Sequence, residues 1–279
     1  MREVAVKEIT KLVRDLFIDA NVNLGEDVKA ALEEALKKEE SELGKEVLAE
    51  LIENARIAKT ERMPICQDTG LPVVFVELGQ EVHLKGGDLT ESINAGIRQG
   101  AQDGLLRPSV CHCLTRKNSG DNTPAVIHLA MVPGDRVRIT VLPKGGGSEN
   151  MSGVRMMAPA AGLEGTKDFV VQQVKESGAN PCPPIIVGVG IGGSFDQAAL
   201  IAKKALLRPV GSINADQELA GIEADLLERI NDLGIGPSGY GGRTTALAVH
   251  VAMIPCHIAS LPVAVNIQCH AHRHTEGVL

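Results

Sequence analysis

Ile185-Ile186-Val187-Gly188-Val189-Gly190-Ile191-Gly192-Gly193 runs directly into Ser194-Phe195-Asp196-Gln197 and on to Leu207. The apolar, β-branched start reads as a buried strand. Ser194 and Gln197 are spaced as a capping pair, so a helix is expected from Ser194 to Leu207. Residues 188–193 also match Gly-x-Gly-x-x-Gly between a strand and a helix, the dinucleotide fingerprint. No second strand ending in an acidic residue follows about 20 positions on. Asp216 lies further away, inside helix-like sequence. A tight strand-to-helix turn is the preferred reading, and a nucleotide-binding oxidoreductase is the alternative.

Upstream, Val4, Val6, Ile9, Leu12, Val13, Leu16 and Phe17 recur at a helical period. Two more helical stretches follow, about 28–37 and 43–59, the latter rich in Glu and Lys. The first 60 residues thus read as a helical layer with charged outer faces. The texture changes at Pro64. Val73-Val74-Phe75-Val76 is a short strand, and Asp88 to Gly104 a helix with Asp88 and Glu91 as its capping pair. Ala125–Val132 and Arg136–Leu142 read as strands, joined into a hairpin by Pro133-Gly134-Asp135. Lys167–Lys175 and Gln217–Leu233 read as helices, Thr244–Ile254 and Pro262–Gln268 as closing strands. The expected class is α/β (α+β). A helical N-terminal layer over about 1–60 packs on mixed β-sheets with surrounding helices, in a single domain spanning 1–279.

Composition removes several functions. With 279 residues the chain can bury a sizeable core. Its net charge of -7 argues against general nucleic-acid binding. No apolar run approaches the roughly 20 residues of a membrane span. No apolar stretch follows Met1, so no secretory signal is expected. Trp is absent and Tyr and Phe number 1 and 4, so the core must come from aliphatic residues. Six cysteines without a leader suggest a reducing, cytoplasmic setting.

Four stretches are too unusual for plain loops. Pro64-Ile65-Cys66-Gln67-Asp68-Thr69-Gly70 sets a thiol and a carboxylate in a turn before a strand. The bland alternative is a cysteine in a turn. Lys144-Gly145-Gly146-Gly147-Ser148 follows a strand, and its glycines can turn N–H groups inward on an anion or form a hairpin tip. Asn180-Pro181-Cys182-Pro183-Pro184 stiffens the backbone around one thiol, as a metal site requires. Pro255-Cys256-His257 precedes Cys269-His270-Ala271-His272-Arg273-His274. The strict zinc spacings fail there, and the His-rich end also reads as solvent-exposed chain. Cys111-His112-Cys113 reads as a strand facing two ways and stays outside the site.

Together these motifs resemble the class I, iron–sulfur fumarate hydratases. The resemblance covers essentially the whole chain. It rests on Cys66-Gln67-Asp68-Thr69-Gly70, Lys144 to Ser148, Cys182-Pro183-Pro184 and Cys269, with 116 and then 87 positions between the cysteines. Asn118-Ser119-Gly120-Asp121-Asn122-Thr123-Pro124-Ala125 and Gly234-Ile235-Gly236 match as well.

The resemblance implies that Cys66, Cys182 and Cys269 hold a [4Fe–4S] cluster with one iron open to substrate. It makes Asp68 a candidate acid/base group. It places Gln67, Arg107, Gly146, Gly147 and His257 at a small dicarboxylic acid, with the Arg107 fork suited to a carboxylate. Single-chain members continue past the third cysteine into another domain, whereas this sequence stops 10 residues beyond Cys269. It therefore looks like an alpha subunit, with the C-terminal domain on a beta subunit and alpha–alpha association expected. The implied reaction is hydration of fumarate to (S)-malate. L-tartrate dehydration by a similar alpha subunit is the close alternative, and a non-catalytic structural subunit the remote one.

Overall fold

A computed structural model describes residues 1–279 and shows a mixed α/β architecture. In chain order the elements are β1 (Arg2–Ala5), α1 (Val6–Val22), α2 (Glu26–Lys38), α3 (Glu42–Glu61), β2 (Leu71–Gly79), β3 (Val82–Lys85), α4 (Leu89–Asp103), β4 (Val126–Val132), β5 (Val137–Lys144), α5 (Gly146–Glu149), β6 (Gly153–Met157), α6 (Gly162–Ser177), β7 (Ile185–Gly193), α7 (Phe195–Ala205), α8 (Gln217–Asn231), β8 (Ala246–Cys256), β9 (Leu261–Gln268) and β10 (Thr275–Val278). They fall into two compact units. Met1–Gly25, Asn54–Gly146 and Arg273–Leu279 form the first; Glu26–Glu53 and Gly147–His272 form the second. No helix is long and apolar enough to cross a membrane.

The first unit is built on a four-stranded sheet in the order β10-β5-β2-β4. Helices α1 and α4 bury Ile9, Val13, Phe17, Ile93 and Ile97 with Val74, Val76, Ile139 and Val141 of the sheet. Asp88 caps α4 as its spacing foretold, its Oδ1 accepting the Glu91 N–H at 2.8 Å. Residues 2–5 depart from the helical period and pair with β3 as a parallel strand.

The expected hairpin is also corrected. Both strands form, but β2 lies between them, antiparallel to β5 and parallel to β4. The Pro133–Asp135 turn instead serves the end of β2, with Gln80 N–H donating to Val132 O and Glu81 N–H to Gly134 O. Turn chemistry fixes where the chain reverses, not which edges pair. The continuous buried run Pro72–Val76 suits β2 for the centre of a sheet.

The second unit carries a sheet in the order β6-β9-β7-β8. Strand β7 has two unlike faces. Val187, Val189 and Ile191 enter a core with Phe169 and Val170 of α6 and with Leu226 and Ile230 of α8. Gly188 and Gly190 face α7. A Cβ on Gly188 would stand 2.1 Å from the Ala202 carbonyl oxygen, and one on Gly190 2.1 Å from that of Ala198. The glycine run is therefore a packing device that lets helix and strand backbones meet. It ends in a turn through Gly192 and Gly193, at φ +92° and +70°. Helix α7 then starts as expected, with Gln197 Oε1 accepting the Ser194 N–H.

The outer edge of β8 is closed by side chains. Asn231 Oδ1 accepts the Thr245 and Ala246 N–H groups. Glu223 Oε1 accepts the Val251 N–H at 2.7 Å, and Asn214 Nδ2 donates to Val251 O at 3.1 Å. Within β8, His250 is 1% exposed and neither ring nitrogen has a hydrogen-bond partner. Burial pushes its pKa down from 6.5 to about 4; Arg208 adds to this, while Glu223 and Asp27 oppose it.

Two outcomes are expected. Gly190→Ala should destabilise the chain by about 1–3 kcal/mol through overpacking against α7, read from urea unfolding. His250 takes up its proton near pH 6.5 when unfolded but only near 4 when folded. Its neutral, buried state therefore loses on the order of 3 kcal/mol of relative stability between those two values, and none above pH 6.5. Urea midpoints of His250→Leu at pH 7 and pH 4 should lack that component of the decline.

Candidate active site

The register of one strand pair gathers the candidate residues of the first unit. Leu71, opening β2, lies opposite Lys144, closing β5. The segments just outside that pair, 66–70 and 145–146, therefore meet although about 75 residues separate them. Gly70 lets the two backbones touch. It sits at φ +79°, and a Cβ there would lie 2.7 Å from the Lys144 carbonyl carbon.

Asp68 is the hub. Its Oδ1 accepts the Gly70 N–H at 2.9 Å and the Ser109 hydroxyl at 3.1 Å. Its Oδ2 accepts the Gly146 N–H at 2.8 Å. Arg273, 3% exposed, donates to the Asp68 carbonyl oxygen at 2.7 Å. The Arg107 guanidinium stands 3.8 Å from Oδ1 and is 58% exposed. Burial works to raise the Asp68 pKa. The N–H groups of Gly146 and Gly70, the Ser109 hydroxyl and Arg107 outweigh it and hold the carboxyl below the usual carboxylate range.

Around the hub, the Asp68 N–H points at Cys66 Sγ at 3.4 Å, and Cys66 Sγ stands 3.4 Å from Gln67 Oε1. The loop carrying Arg107 is pinned by Asn122, which is fully buried. Its Oδ1 accepts the Ser109 N–H, and its Nδ2 donates to Arg107 O. Cys66, Gln67, Asp68, Arg107 and Gly146 thus lie together in the first unit.

The second unit holds the other candidates. Cys182 lies ahead of β7 in left-handed backbone, φ +56°, a conformation that costs energy for a residue other than glycine. Its carbonyl oxygen accepts the His270 N–H at 3.2 Å and lies 3.0 Å from His270 Nδ1. This seats Cys182 against the residue that follows Cys269. All six cysteines are thiols, Cys182 exposed and Cys66 and Cys269 half-buried. Gly147 begins this unit, and a Cβ there would stand 3.3 Å from Asn180 O.

His257 lies elsewhere, on the exposed turn between β8 and β9, with its Nδ1 accepting the Ala259 N–H. The eight residues of β9 separate it from Cys269, about 26 Å at the rise of an extended strand. Neither unit gathers three His, Cys, Asp or Glu side chains at metal-binding distance.

Ser109, Asn122 and Arg273 escaped the sequence reading as functional positions. The stretch Asn118–Ala125 marked Asn122 only as part of a motif. The reading of 270–274 as exposed chain fails, because His272 and Arg273 are buried.

Residues 10–278 match the family described as fumarate hydratase (Fumerase). A Methanocaldococcus jannaschii protein provisionally named L(+)-tartrate dehydratase subunit alpha is 46% identical over 272 residues, covering 95% of each chain. The L(+)-tartrate dehydratase subunit alpha of Escherichia coli strain UTI89 is 32% identical over 276 residues, covering 98% of this chain and 91% of its own.

Asp68→Asn would turn an amide NH2 toward at least one of the donors that now face a carboxylate. It should cost about 1–3 kcal/mol and shift the Gly146 amide resonance. Ser109→Ala removes one donor and should cost about 0.5–1.5 kcal/mol. Chemical denaturation and amide NMR spectra check both.

Proposed function

The chain belongs to the fumarate hydratase (Fumerase) family, a family of hydro-lyases, and from there we propose that it is the alpha subunit of an iron–sulfur hydro-lyase interconverting fumarate and (S)-malate. The observation that carries this reading is the seating of Cys182 against the His270 backbone, one residue from Cys269. Two thiols 87 positions apart are thereby held at one end of one sheet.

Thiolates are the ligand class of iron–sulfur clusters. The donor set Cys66, Cys182 and Cys269 fits a [4Fe–4S] cluster chemically, with Cys66 as the third ligand. Three thiolates for four irons leave one iron without a protein ligand, and that iron supplies Lewis acidity toward a substrate oxygen.

The remaining work falls to side chains of this chain. Arg107, exposed and aimed by the Asn122 clamp, offers its planar fork to a substrate carboxylate. Gln67 and the Gly147 N–H supply further polar contacts. The Gly146 N–H is already engaged by Asp68, so Gly146 shapes the turn. Asp68 accepts three hydrogen bonds as the anion, which suits it to fixing Arg107 and the glycine turn rather than to donating a proton. The group that takes the proton from carbon lies, on this reading, on a beta subunit. The names of the relatives favour such a partner, since both are called alpha subunits. His257, expected as a substrate contact, lies one strand length from Cys269 and is not assigned a part in this reading. A small acid, a reduced cluster and exposed thiols all suit a cytoplasmic setting.

The names of those relatives also favour a second reading, L(+)-tartrate as the diacid. Anaerobic co-expression with a beta subunit, followed by assays on fumarate, (S)-malate and L-tartrate, decides between them. Purified complex should contain iron and show broad visible absorbance. Cys66→Ser, Cys182→Ser and Cys269→Ser should each lose both, while Cys111→Ser keeps them. Complex without iron and without turnover of any of these acids would overturn the reading.

A further inference from the structure

Gly234-Ile235-Gly236, one of the matching motifs, opens a loop that runs to Thr245 and has had no part in the chemistry so far. This loop grips the turn that carries Cys182. The Ser238 N–H donates to Pro183 O at 2.8 Å, and Thr245 O accepts the Ile185 N–H at 2.9 Å. Gly239 stands against Ala179, where a Cβ on the glycine would lie 2.3 Å from the Ala179 Cβ. Ala179 O in turn accepts the Cys182 N–H at 3.0 Å. The left-handed backbone of Cys182 is thus held through residues before and after it.

The loop has its own anchor, 204 positions away in sequence but in the same unit. Glu39 follows α2 and is 2% exposed. Its Oε1 accepts the N–H groups of Arg243 at 2.9 Å, Glu40 at 3.0 Å and Ser41 at 3.1 Å. Its Oε2 accepts those of Arg243 at 3.0 Å and Thr244 at 3.1 Å. Gly242, at φ +130°, leaves room for this, since a Cβ there would stand 2.6 Å from Glu39 Oε1. Burial works to raise the Glu39 pKa. The N–H groups of Arg243, Ser41, Thr244 and Glu40 outweigh it and hold the carboxyl below its ordinary value. A buried carboxylate satisfied by four backbone N–H groups ties together the segments that supply them.

We propose that Glu39 is a positioning residue for Cys182. Its carboxylate fixes residues 243–244, and these fix the loop from Ser238 to Thr245. That loop holds the Pro183 carbonyl and the Ile185 N–H on either side of the Cys182-Pro183-Pro184 turn. The consequence for a cluster rests on the iron–sulfur reading above; the coupling between Glu39 and the turn does not.

Residue-resolved hydrogen exchange on the full chain tests the coupling. Glu39→Gln turns an amide NH2 toward donors that need an acceptor. The N–H groups of Cys182 and of His270, which bonds Cys182 O, should then exchange at least about tenfold faster. Those of Val189 and Val265, in the core of the same sheet, should keep their wild-type rates. Gly242→Ala presses on the same carboxylate from the loop side and should give the same pattern. Glu40→Gln removes only an exposed ion pair with Arg243 and should change nothing. In wild type, without any variant, the Ser238, Arg243 and Thr244 amides should exchange at one common rate.

Unchanged rates at Cys182 and His270 in Glu39→Gln overturn the proposal, and so does equal acceleration at Val189 and Val265. Should that variant not fold, wild-type rates in Gly242→Ala, or Ser238 exchanging about tenfold faster than Arg243 in wild type, overturn it instead. In the anaerobically co-expressed complex, Glu39→Gln should lose iron to a chelator about tenfold faster than wild type, and Glu40→Gln should not. Release at the wild-type rate overturns the link to a cluster. A wild-type complex without iron would count against the iron–sulfur reading, and the exchange rates alone then decide whether Glu39 positions Cys182.

Discussion

One carboxylate organises the candidate residues of the first unit. Asp68 sits where β2 begins, and two backbone N–H groups and a hydroxyl converge on it. Each donor comes from a different stretch of chain: the turn into β2, the loop after α4, and the start of α5. A half-buried charge is tolerable only when its oxygens are satisfied, so the position of Asp68 fixes the positions of all three. Arg107 follows from this arrangement. Its loop is held at Ser109 by Asp68 and at its own carbonyl by Asn122, so the guanidinium projects from a rigid base. A loop that would otherwise be mobile presents a cation in one direction.

What the amino-acid sequence revealed of this was local. The junction of β7 and α7 was legible because the strand pattern, the turn glycines and the capping pair lie within a short window. Asp88 was legible as a cap for the same reason. The insertion of β2 between β4 and β5 was not, since nothing within 125–142 encodes a partner some 50 residues upstream. The same limit hid Ser109, Asn122 and Arg273. Their chemistry is ordinary, and only long-range pairing, Arg273 with Asp68 across 205 positions, gives them a role. Four ordered motifs carried the family resemblance further than any single pattern could, because their order spans the whole chain. His257 shows where this stops: a separation of 12 positions from Cys269 in sequence becomes a whole strand in space.

The candidate residues are held by different means in the two units. In the first unit an antiparallel register and a network of donors fix them. In the second, strained backbone does so: Cys182 adopts a left-handed conformation and is anchored through its carbonyl to His270. Strain of this kind persists only when neighbouring bonds enforce it. Here Ala179 O accepts the Cys182 N–H and Pro183 O accepts the Ser238 N–H, which brackets the thiol from both sides.

The face of β7 turned toward α7 admits no side chain at Gly188 or Gly190. Such a surface cannot be relined during divergence, because any new atom there prises helix from strand. Variation within the second unit is therefore confined to positions outside the β7–α7 seam. The glycines make that seam a fixed frame, the one face of the sheet where only bare backbone fits.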